Sequence, residues 1–175
     1  MFMQIQVFSR MQSSDLSADF RSRFDLRQLT AFAIEAVHRV KPGSTTFMHK
    51  GQVFSEPMLL TVLTFCYSCG IYASSEIEEA IRENQAVRYL CARVFPDSED
   101  LRHYRRGNAA VIKRCLIELF TLAEGSCPVA DDLFPIYAAH STGQMFGASR
   151  SWMYVAEADR RVTLAIQADS IAMDA

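Results

Sequence analysis

The chain has 175 residues, half of them hydrophobic, which is enough to bury a core without disulfide or metal staples. Its formal charge of −2 excludes a protein that is cationic all over, so any nucleic-acid contact depends on a local cluster of charge. Five cysteines, an odd number, and no basic leader followed by an apolar core and cleavage site at the start predict a reducing, cytoplasmic setting.

Residues 1–24 hold no sustained period and read as an N-terminal arm. Asp25 is placed to cap a helix through Arg39, with Leu26, Leu29, Phe32, Ala33, Ala36, Val37 and Val40 at helical spacing. Pro42-Gly43 stops it, and the polar stretch to Lys50 reads as a loop. Ser55 then caps a helix with Glu56-Pro57 in its first turn, Leu59, Leu60, Leu63 and Tyr67 on its face, and Gly70 at its exit. The apolar run Met58–Ala73 gives a helix of roughly 24 Å, short of the hydrocarbon core of a bilayer, so it is expected to be buried and no membrane partner is expected.

Ser75 and Glu78 have capping-box spacing for a helix to about Asn84. Ala86–Arg93 is helical again and ends at Val94-Phe95-Pro96. Asp97 or Ser98 caps a helix through Arg106, Gly107-Asn108 breaks it, and Ala109–Ala123 follows as an amphipathic helix closed by Gly125 and Pro128. Beyond Pro128, Asp131–Tyr137 suggests a turn of helix, Ser141–Ser151 a loop and Val162–Ile166 a short strand. These elements predict an all-α, compact multi-helix bundle over 25–125 with a helix-turn-helix-like segment, followed by an irregular tail over 126–175.

Charge changes sign along the middle of the chain. Glu76, Glu78, Glu79 and Glu83 crowd one segment, whereas Arg102, Arg105, Arg106, Lys113 and Arg114 lie in a stretch from Leu101 to Ile117 that holds no acid. Arg102, Arg105 and Arg106 sit three and four residues apart, which predicts one shared helical face, with His103 and Tyr104 beside it. Planar guanidinium forks suit phosphate oxygens. The competing expectation is a solvated face that offsets a helix macrodipole.

The segment from Met58 to Leu90, with Tyr67 to Gly70, Ser74-Ser75, Arg82-Glu83-Asn84 and Ala86 to Leu90, continuing to Pro96-Asp97 and Arg105-Arg106, resembles the N-terminal domain of bacterial insertion-sequence transposases of the DDE class. The resemblance implies a helical DNA-binding module that recognises the terminal repeats of a mobile element, with double-stranded DNA, a homodimer or a full-length transposase as partners. Together with the charge cluster, it makes Arg102, His103, Arg105, Arg106, Lys113 and Arg114, with Arg82 and Arg88, the expected DNA contacts. Two departures stand out. Ser98-Glu-Asp replaces the family's Ser/Thr-rich helix start, and residues 121–175 are too few for the RNase H-like catalytic domain with its three carboxylates and two magnesium ions, so no catalytic residue is expected. A protein-interaction module that regulates a full-length transposase is the alternative.

The remaining candidates for chemistry are weak. Two-metal catalysis needs carboxylates converging on ions about 4 Å apart, but Asp159, Asp169 and Asp174 lie in the tail and read as solvated. Asp131-Asp132 reads as a helix cap. Cys66-x-x-Cys69 has zinc or redox spacing inside an apolar helix without a second pair, while Cys91, Cys115 and Cys127 stand alone, so core packing is expected. His38, His49, His103 and His140 show no ligand spacing, and Trp152 with Tyr154 reads as a packing anchor. No cofactor or metal is expected.

Overall fold

A computed structural model describes residues 23–43, 45–126 and 151–174. In chain order the elements are α1 (Leu26–Val40), β1 (Thr46–His49), β2 (Gln52–Ser55), α2 (Glu56–Ser68), α3 (Ser74–Glu83), α4 (Gln85–Leu90), α5 (Ser98–Ser126) and α6 (Ser151–Asp174). They form a mostly helical bundle with one small antiparallel sheet.

The core is organised around α2. Every residue from Met58 to Ser68 is buried, as expected of a helix that is apolar on all sides. It touches α1, α4, α5 and α6 and receives the chain directly from β2. No helix among the described residues is long and apolar enough to cross a membrane. The helix ends at Gly70, whose φ of +78° is left-handed. Gly70 N–H donates to the Tyr67 carbonyl at 3.2 Å and Ile71 N–H to the Cys66 carbonyl at 2.9 Å, the paired C-terminal bonds that only an easily inverted residue permits.

Local chemistry fixes the other starts and stops. Asp25 accepts from Gln28 N–H at 2.8 Å while the Gln28 side chain accepts from Asp25 N–H at 3.0 Å. Asn84 accepts from Ala86 N–H at 2.8 Å at the start of α4. Asp97 and Asp100 close a reciprocal box at the start of α5, Asp97 accepting at 2.8 Å and Asp100 at 3.0 Å. Ser55 occupies the cap position of α2, but its hydroxyl makes no capping bond. At α3 the cap lies earlier than Ser75: Glu76 accepts from Ala73 N–H at 3.2 Å, and the helix starts at Ser74.

Three sequence expectations need correction. The fold is not all-α, because part of the stretch read as a loop to Lys50 forms β1 and pairs with β2, Met48 opposite Val53. Lys50 and Gly51 both have positive φ, +49° and +79°, the two-residue turn whose twist matches antiparallel strands. Second, the break at Gly107-Asn108 is a kink: α5 runs through it, with Asn108 at φ −123°, ψ 15° and its Nδ2 donating to the Tyr104 carbonyl at 2.9 Å. Third, Val162–Ile166 is not a strand. It lies inside α6, which packs along α5 and buries Met153, Tyr154, Ala158, Val162 and Ala165 in the core. The expected helical turn at Asp131–Tyr137 and most of the expected loop at Ser141–Ser151 lie outside the described residues.

Candidate nucleic-acid interface

The first three turns of α5 carry the predicted cluster. Leu101, Tyr104 and Arg105 face inward, Arg102 is half-buried, and His103 and Arg106 are exposed. A residue on a helix is rotated about 100° from its predecessor, so Arg105 and Arg106 straddle Arg102, and the inner of the two enters the core.

Arg105 is 2% exposed. Its guanidinium donates to Tyr67 Oη at 2.9 Å, the Tyr72 carbonyl at 3.1 Å and Ser74 Oγ at 2.6 Å, and it is ion-paired with Asp169 of α6. Asp169 also accepts from Ser74 N–H at 2.8 Å and Ser74 Oγ at 2.9 Å. Burial pushes the Tyr67 phenol above its ordinary range, and the Arg105 charge opposes that shift. The expectation that Arg105 shares an exposed face with Arg102 and Arg106 is therefore corrected: its fork of donors is committed inside the protein. The reading of Asp169 as solvated is corrected with it.

The rest of the predicted set is dispersed. Lys113 pairs with Asp159 of α6. Arg114 is exposed. Arg82 pairs with Glu78 one turn back on α3, and the Arg88 guanidinium lies 5.8 Å from the centre of the Phe95 ring. Arg82 and Arg88 line one groove with Phe95 and Pro96, and Glu78 and Asp97 share it. Those carboxylates repel a phosphate. Arg102, Arg106 and Arg114 remain, and they have no carboxylate partner among the described residues.

His103 does not stand alone. Its ring stacks on His49 of β1 with centroids 4.8 Å apart, and Phe47 lies 5.8 Å away. His49 Nδ1 is 2.6 Å from Asp100 Oδ1. The residues are 51 positions apart, and only the unforeseen hairpin brings them together, so helical spacing held no signal for the pair.

Cys66, Cys69, Cys91 and Cys115 are buried free thiols. Burial raises the thiols of Cys66, Cys91 and Cys115, the last two to about 12, so these three pack as protonated thiols rather than act as ligands or nucleophiles. Tyr154 is buried with its ring 6.2 Å from Phe120, whereas Trp152 is half exposed. Asp131, Asp132, His140 and Cys127 lie outside the described residues.

A second buried ionic group was not foreseen. Arg161 donates to Glu157 at 2.6 Å and to the Tyr67 and Ser68 carbonyls at 2.6 and 3.0 Å. Burial disfavours the Glu157 carboxylate, yet hydrogen bonds and charge from Arg160 and Arg161 outweigh it and hold its pKa below the ordinary value.

No protein-family model matches the chain, and neither a curated protein nor a solved structure is found to be similar to it. That finding overturns the transposase, insertion-sequence and helix-turn-helix labels attached to residues 58–106, and the cytoplasmic label gains no support. The function is argued from the surface alone.

Proposed function

We propose that this chain binds duplex DNA through a short cationic stripe on α5, with Arg102 and Arg106 as phosphate ligands and Arg114 beyond the kink. The supporting observation is that Arg102 and Arg106 lie one turn apart on one side of a capped helix and pair with no carboxylate among the described residues. Each offers an always-charged planar fork to phosphate oxygens. Arg105, buried with Asp169, positions this helix and touches no DNA.

A stripe of three arginines predicts a salt-sensitive, sequence-tolerant interaction with a slope of log affinity against log salt of about −3. Fluorescence anisotropy of a labelled duplex across a salt series measures it. Replacing Arg102 and Arg106 by Ala reduces the slope by about 2, and an unchanged slope removes both residues from the interface.

One observation favours a protein-interaction module instead. Met48 and Val53, cross-strand neighbours on the hairpin, are 71% and 55% exposed, and apolar surface of that kind suits a protein partner. A concentration-dependent dimer without salt-sensitive DNA binding decides for that alternative.

A further inference from the structure

We propose that Arg105 and Ser74 form a binding site for a small oxyanion, a free carboxylate or phosphate, which the last turns of α6 occupy in cis with Asp169. The site is distinct from the exposed stripe on α5 and stands independently of the DNA reading. Arg105 is 2% exposed, and a recess so enclosed admits a small ion rather than a duplex.

Three elements build the recess. Arg105 reaches inward from α5, and one of its terminal nitrogens is fixed by Tyr67 Oη at 2.9 Å and the Tyr72 carbonyl at 3.1 Å. The other faces Ser74 Oγ, at 2.6 Å, and the Asp169 carboxylate. Ser74 opens α3 and adds two donors: its N–H reaches one Asp169 oxygen at 2.8 Å and its hydroxyl the other at 2.9 Å. The Glu76 side chain caps the preceding Ala73 N–H and leaves that of Ser74 to the anion. An always-charged guanidinium, a hydroxyl and a backbone N–H at a helix start grip a two-oxygen anion whether it is tethered or free.

The carboxylate that fills the recess belongs to a segment that little else holds there. From Met153 to Ala165 every turn of α6 sends a side chain into the core. Between Ile166 and Ile171 only Asp169 is buried, and those two isoleucines are 49% and 71% exposed. The last carbonyls of a helix lack intrahelical partners, and weakly packed ends open first. Opening of these turns withdraws Asp169 while the packed turns stay in place, and the donors pass to a free anion. Tethering gives Asp169 an effective concentration on the order of mM or higher, so a free competitor acts above that range.

The alternative is a purely structural ion pair that opens only with the whole fold. Hydrogen exchange and NMR of the full chain in phosphate, acetate or chloride at matched ionic strength separate the two. The expected result is faster amide exchange over 166–171 than over 156–165, accelerated by phosphate or acetate and not by chloride. The Arg105 Nε–Hε signal shifts saturably with the active anion. A response to acetate alone identifies a carboxylate site, to phosphate alone a phosphate site, and to both a general oxyanion site. Asp169→Ala removes the tethered competitor and is expected to bind the active anion at least about 10-fold more tightly than the parent. Adding Ser74→Ala to it weakens that binding by about 10-fold or more, with circular dichroism checking that both variants fold. Uniform protection along α6, or an Arg105 signal that neither oxyanion moves, overturns the site on the parent protein alone.

Discussion

Arg105 and Asp169 show how a charged residue can serve the fold rather than the surface. Taking both out of water costs several kcal/mol per ion, and it is recovered only because Tyr67, Tyr72 and Ser74 complete their hydrogen bonds. Removing one partner leaves a buried charge exposed to its own desolvation. Arg105→Met is expected to destabilise the protein by about 3–5 kcal/mol in urea unfolding, and Asp169→Leu by a similar amount. The double variant is expected to lose less than the sum of the two, with a coupling of about 0.5–3 kcal/mol. Strict additivity would show that the pair is not coupled. At this scale the sequence was least legible. Arg105 and Arg106 are adjacent and chemically identical, and only the inward lean of Leu101 and Tyr104 separates them. The acid that claims Arg105 is 64 positions away, beyond the reach of any local pattern.

Among the elements, α6 does the most unexpected work. Asp169 meets the first backbone N–H of α3 at Ser74, and Arg161 meets the last carbonyls of α2 at Tyr67 and Ser68. An anion at a helix N-terminus and a cation at a helix C-terminus both complement the macrodipole and satisfy orphan backbone groups. Helices whose stops and starts lie in local residues were readable: Asp25 for α1, Gly70 for α2, Asp97 for α5. The hairpin was not, because four-residue strands carry too few alternations to outweigh the polar residues around Lys50-Gly51. Nor was α6, where the helical period is obscured by Glu157, Arg161 and Asp169, polar side chains on the buried face. The locally coded ends make a local prediction. Asp97→Ala deletes the cap of α5 and is expected to cost about 1 kcal/mol of stability, read from the shift in urea midpoint. No shift would place the start of α5 under tertiary control.

For the whole molecule, the acids that hold elements together set its response to pH. Glu157 is held low by Arg160 and Arg161, which override its burial, and Asp97 is held low chiefly by the Asp100 backbone N–H. A carboxylate whose pKa is lower folded than unfolded lends stability above its unfolded value, about 4.3 for Glu and 3.9 for Asp. That stability is lost as pH falls through the folded value. The urea midpoint is therefore expected to hold from pH 7 to about 5 and to drop below about 4, with Glu157→Gln starting lower and falling less steeply. A midpoint that rises on acidification would contradict the ionic role of Glu157.

The proposed DNA contact rests on the cations of α5 that are not committed elsewhere. Arg105 and Arg161 are spent inside, Lys113, Arg82 and Lys50 are paired with acids, and Arg102, Arg106 and Arg114 have no carboxylate partner among the described residues. Nitrogen-15 NMR of the arginine side chains, followed while duplex DNA is added to the full chain, distinguishes these groups residue by residue. The Nε–Hε signals of Arg102, Arg106 and Arg114 are expected to shift in a salt-dependent way while those of Arg105 and Arg161 stay fixed. If those three stay fixed as DNA is added, the stripe on α5 is not a DNA-binding surface.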